Sequence, residues 1–163
     1  MHRRHFLTGL TLAAIGPAAN AGTVERDGVT FVYRHKGDRL HATLTAPTDG
    51  WVAAGFNNQQ QLQGTRFVIG ALSNGQLRIE EHIATVPDHP RVQDLGLATA
   101  LADTHGEATA TGTMLRLSLP HDFSDSANPT LRPGTPTYLM LAWSHETDFT
   151  HHSAWRRHFA ITL

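Results

Sequence analysis

The sequence predicts an all-β protein, a two-sheet antiparallel β-sandwich of about eight to ten strands with an immunoglobulin-like architecture. Three observations predict it. Apolar and polar residues alternate in run after run, turn-forming clusters separate the runs at short intervals, and no long stretch repeats about every 3.6 residues as an amphipathic helix would. The chain has 163 residues, 40% hydrophobic and 17% charged. That size and mixture fit one domain with a real core.

Residues 1–21 read as an export signal. Arg3 and Arg4 give a charged start, Phe6–Ile15 a short apolar run, and Ala19-Asn20-Ala21 a small-x-small cleavage site. The run is too short for a bilayer, which takes about 20 apolar residues. Arg3-Arg4-His5-Phe6-Leu7 resembles the twin-arginine signal, an address read by a receptor rather than an anchor. Residues 22–163 are therefore expected as a single periplasmic or secreted domain without a membrane span. This mature chain carries 11 basic and 14 acidic side chains, a net of −3.

The strands follow in order. Leu40, Ala42, Leu44 and Ala46 alternate with His41, Thr43 and Thr45. Trp51–Phe56 and Phe67–Leu72 are apolar on both faces, as central strands are. Leu77, Ile79 and Ile83 share one face opposite Arg78, Glu80 and His82. Leu115, Leu117 and Leu119 form another stripe, and Phe159, Ile161 and Leu163 the last. Turns are expected at Lys36-Gly37-Asp38, Pro47–Gly50, Ser73-Asn74-Gly75 and Asp103–Gly106. Asn74-Gly75 is a hairpin signal, because both residues tolerate the positive φ of a type I′ turn. Leu95–Asp103 is ambiguous between helix and loop, and Pro120–Pro136, with its four prolines, reads as a long surface loop.

The chemistry on offer is narrow. With no Cys, disulfides, thiolate metal sites, c-type haem attachment and a cysteine nucleophile are excluded. A pI near 6.9 gives no case for a nucleic-acid partner. No nucleophile elbow, H-E-x-x-H or phosphate loop occurs, and Glu80 and Glu81, adjacent on a strand, point to opposite faces. The reading is therefore not an enzyme. The anomaly is twelve His, four of which, His145, His151, His152 and His158, fall near the end of the chain. Neutral imidazole is a common metal and haem-iron ligand. Arg156 beside this cluster can pair with carboxylates through a forked contact. Of the adjacent His151 and His152, one is expected to turn inward and one outward, since an extended backbone does not let both reach one metal. A solvated polar loop is the alternative reading of the same segment.

Gly50–Phe56, Gly64–Gly70, Asn74-Gly75, Glu80-Glu81, Pro90, Asp94, Trp143 and the late His followed by basic residues together resemble the DOMON family. These are exported β-sandwich modules that bind haem b or, in some branches, sugars, and they include the cytochrome b domain of cellobiose dehydrogenase. The resemblance spans nearly the whole mature chain. It implies a periplasmic ligand-binding module, with haem b serving electron transfer or haem-linked sensing and a redox protein as partner. A non-haem carbohydrate or small-molecule module is the alternative, and the amides of Asn57-Asn58 and Gln59–Gln61 lean toward it. The family's iron is held by a Met and a late His. The His corresponds to His152, with His151 as second choice, but the Met position is Leu62, which has no donor atom, and the family's Asp in its G-A-D strand is Arg66. Met114, Met140 or another His remain as second donors. Trp51, Phe56, Phe67 and Arg156, with Leu62, are the expected pocket residues.

Overall fold

The computed structural model describes residues 20–163, so residues 1–19 of the expected signal lie outside the described residues. Ten strands form two antiparallel five-stranded sheets. The first contains β1 (Ala21–Arg26), β2 (Val29–Lys36) and β3 (Arg39–Ala46). The second contains β4 (Val52–Asn57), β5 (Arg66–Ser73) and β6 (Gln76–Ile83). The chain then returns to the first sheet through β7 (Ala102–Thr109) and β8 (Gly112–Pro120), makes a small hairpin of β9 (Asp122–Phe123) and β10 (Ser126–Thr130), and closes the second sheet with β11 (Pro136–Trp143) and β12 (Trp155–Thr162). The strand orders are β1-β2-β3-β8-β7 and β12-β11-β4-β5-β6.

The alternation read from the sequence sets the core. Phe31, Leu40, Leu44, Leu115 and Leu119 from the first sheet meet Val52, Ala54, Phe56, Val68, Leu139 and Leu141 from the second, each essentially inaccessible to water. Burying a side chain of this size stabilises the fold by roughly 1.5–3 kcal/mol. Gly70 has a packing reason: a Cβ there would collide with the Leu115 side chain from the facing sheet. Asn74 and Gly75 both have positive φ, 51° and 75°, in the β5–β6 turn, as a type I′ hairpin requires.

The structure settles one segment that the sequence leaves open and corrects two expectations. Leu95–Asp103 is not a helix: a single 3-10 turn, Val92–Leu95, stops at Gly96, and the extended chain beyond is held by Glu81, which accepts hydrogen bonds from Ala100 N, Leu101 N and Thr99 Oγ1. Asp103–Gly106 is not a turn but lies within β7, where a register shift between Ala102 and His105 absorbs the turn-forming residues as a bulge. Pro120–Pro136 is not only loop. It contains the β9–β10 hairpin, seated because Phe123 is buried under the Arg66 guanidinium, 3.9 Å from its ring centroid.

Candidate functional site

The second sheet is apolar on its outer face as well. Register across it places Ala53 between Ile69 and Ala142, and Gly55 between Phe67 and Met140. Arg156 and His158 of β12 continue these rows at the edge. Trp51, Ala53, Phe67, Ile69, Ala71, Ala84, Met140, Ala142 and Phe149 form a second buried cluster, separate from the core between the sheets. Small residues in the middle keep this floor flat. Gly55 is essential to it, since a Cβ there would come within 2.5 Å of the Phe67 ring.

Loops wall the floor and leave a cavity of about 460 Å³, within the range of small-molecule sites. One wall, 58–64, is folded by the buried Asn57 amide, which donates to Gln61 O and Gln63 O and accepts from Gln59 N. This loop brings Leu62 to the cavity, 38% exposed. A second wall carries Ala84, Pro87, Asp88 and His89. The third, between β11 and β12, is tied down by Trp51 N donating to Glu146 O and by Asp148 accepting from Thr150 N and Oγ1. Those bonds hold the Asp148 carboxyl below its usual range. Phe149 turns inward here, with the Arg78 guanidinium 4.2 Å from its ring centroid, while His151, His152 and Ser153 border the opening.

Of the residues anticipated from sequence, Trp51, Leu62, Phe67, His151, His152 and Arg156 come together around this one cavity. Phe56 does not. It points to the opposite face of β4, into the core, 6.0 Å from the Phe31 ring, and is corrected to a core residue. Both His151 and His152 are exposed and both border the cavity, in place of the expected one inward and one outward, because the segment is a bent loop and not extended strand. Met114 lies on the first sheet, paired with Thr45 and Glu107, whereas Met140 is in the cavity floor. His89 and Phe149 were missed by sequence reasoning. Neither sits in a periodic run, and only Pro87 and Pro90, on either side of it, mark the His89 segment as a loop. The side-chain amides of Asn57 and Asn58 are spent on the protein's own backbone and side chains, and no Asn or Gln lines the cavity among the described residues.

Arg156 brings a cation to the rim, and Asp88 a carboxylate to the second wall. Burial first, and then Arg156, hold the His158 imidazole below its usual pKa. The Trp51 indole Nε1 is enclosed without a hydrogen-bond partner among the described residues. No three His, Asp or Glu side chains converge as a metal-ion cage among the described residues.

No family model and no curated protein matches the sequence. Among solved structures, the cytochrome b domain of pyranose dehydrogenase from Coprinopsis cinerea superposes with a TM-score of 0.60, over 82% of this chain and 76% of that one, at 11% identity. The chain has the fold of a cytochrome b domain. At that identity the likeness concerns the arrangement of the strands, so what the cytochrome b fold holds in this chain has to be argued from its own side chains.

Proposed function

We propose that this protein is a ligand-binding module of DOMON type whose outer-face cavity takes haem b, with His152, or in second place His151, as the protein ligand to iron. The observation that carries the reading is the second apolar face: a sheet buried on both sides by an independent cluster, with imidazoles and a guanidinium at the margin of the resulting slot. A flat, mostly apolar molecule with acidic substituents matches the apolar floor and the cation at the rim, whereas the amides that lean toward a sugar are not in the lining among the described residues. The likeness to a cytochrome b domain supports the same reading.

The residues fit haem held from one side. His152 would supply a nitrogen, Arg156 would pair with a propionate, and the floor of Ala53, Ile69, Met140 and Ala142 would cover the macrocycle and exclude water. Leu62, at the position where the family's Met is expected, offers no donor. Bound haem would supply a one-electron couple. We take the role to be electron transfer or haem-linked sensing outside the cytoplasm, after export through the residue 1–21 signal and with a redox protein as partner, and not catalysis by the chain's own residues. The test is an absorption spectrum of the mature protein with added haem b, oxidised and then reduced. A Soret band distinct from free haem, shifting on reduction, is expected. A spectrum identical to free haem would remove the proposal.

A further inference from the structure

The wall residue His89 is positioned by a chain of hydrogen bonds that begins outside the cavity. Glu80 is held by Arg78, whose Nε lies 3.0 Å from Oε1. The other oxygen, Oε2, faces His82 Nε2 at 3.2 Å. His82, 5% exposed, turns its second nitrogen, Nδ1, to the backbone oxygen of His89 at 2.6 Å. A carbonyl oxygen only accepts, so the contact puts a proton on His82 Nδ1; the Glu80 carboxylate also only accepts, so with both bonds made His82 carries a proton on each nitrogen.

That proton decides the state of His89. The Nδ1 of His89 lies 3.4 Å from the same His82 nitrogen. This is too long to contribute much energy, but short enough that a second N–H there would oppose the first. His89 therefore turns a lone pair toward His82 and keeps its own proton on Nε2. That atom has no hydrogen-bond partner among the described residues, and it is not among their enclosed polar atoms. The ring lines the cavity, edge-on to Phe67 with centroids 6.2 Å apart.

We infer that His89 is a hydrogen-bond donor to the occupant of the cavity, presenting Nε2–H, and that His82 is the positioning residue that fixes this tautomer. The inference rests on the cavity being the binding site and deepens that reading by naming the chemistry on the ligand. The occupant carries an acceptor on the side facing His89, placed clear of the Asp88 carboxylate on the same wall.

The tautomer can be read without any ligand. In long-range ¹H–¹⁵N spectra of the labelled protein, with His89 assigned by comparison with His89→Gln, a pyrrole-type Nε2 and a pyridine-type Nδ1 are expected. The reverse pattern, or two protonated nitrogens, would overturn the inference. His82→Gln should leave His89 a mixture of tautomers; an unchanged His89 in a folded variant would remove His82 from its role. With haem b as probe, His89→Leu is expected to bind about 2–12-fold more weakly, the range of one hydrogen bond, and His89→Gln, which keeps a donor, close to the native protein. Equal binding by all three would overturn the donor role. If the native protein takes no haem, the haem reading falls while the tautomer spectrum still decides this one.

Discussion

Arg66 Nε stands 2.5 Å from Glu81 Oε1 on the neighbouring strand, and both side chains are sealed from water at 1% and 0% exposure. The same guanidinium takes both oxygens of Asp125 at 2.7 and 3.1 Å. Burial by itself would lower the Arg66 pKa, but the bonds to Asp125 and Glu81 keep it raised. Through these bonds one buried cation fastens the β9–β10 turn to the start of β5, and Glu81, its partner, holds the segment around Ala100 to the same corner. It occupies the position where the family resemblance implies an Asp, so the corner is built with its charges rearranged.

Removing that cation leaves Glu81 buried and unpaired. Arg66→Ala is therefore expected to destabilise the fold by about 3–5 kcal/mol, measured by urea unfolding. Arg66→Lys, which keeps the charge but not the fork, should recover only part of the loss. A change under about 1 kcal/mol for the Ala variant, the size of an exposed pair, would contradict the burial of this network.

The same end of the sandwich, where Leu131 N donates to His121 O beside the β9–β10 hairpin, is expected to respond to pH. His35 Nδ1 and His121 Nε2 are 3.0 Å apart, and burial first, then the His121 charge, hold His35 below its usual pKa. A lowered histidine binds fewer protons folded than unfolded. Its contribution is complete above the unfolded value of about 6.5 and is lost as pH falls from there through the folded value. His158, also lowered, acts in the same direction. Melting temperature should fall between about pH 7.5 and pH 5.5, and His35→Gln should flatten part of that slope. A slope that the variant leaves unchanged would assign the effect elsewhere.

Gly55 is predicted to matter to the cavity more than to the core. The added methyl of Gly55→Ala meets Phe67 Cδ1 at 2.5 Å and Thr65 Cγ2 at 3.0 Å, and moving them costs about 1–3 kcal/mol. The displaced ring enters the cavity, so ligand uptake should weaken while the strand content by circular dichroism stays the same. Undiminished uptake would mean that the Phe67 ring is not part of the floor.

The strands that carry polar residues on one face were legible in the sequence, because period two shows only where the faces differ. β3, β6 and β8 are of this kind. In β4 and β5 both faces are apolar, so the fact of burial could be read but the direction of each side chain could not. For that reason Phe56 and Phe67, both expected in the pocket, end on opposite sides of one sheet. The β9–β10 hairpin was illegible because what seats it, Phe123 under Arg66, joins residues far apart in sequence. His89 was illegible for a similar reason, since its orientation is set by His82 across a loop.

Leu62 gives a direct probe of what stands over the cavity. On the haem reading, Leu62→Met introduces a thioether at the wall facing the ligand. The spectrum of the haem-loaded variant should move toward that of a low-spin, two-ligand iron. No spectral change would mean that Leu62 does not stand at the metal.

The most direct measurement is a haem b titration of the mature protein beside His152→Ala and His151→Ala, followed in the Soret region. The account predicts saturable uptake at one haem per native chain, loss of the shifted Soret band in His152→Ala, and its retention in His151→Ala. Loss in His151→Ala alone would move the ligand by one residue. Native-like spectra from both variants, or no uptake by the native chain, would contradict haem ligation from this loop.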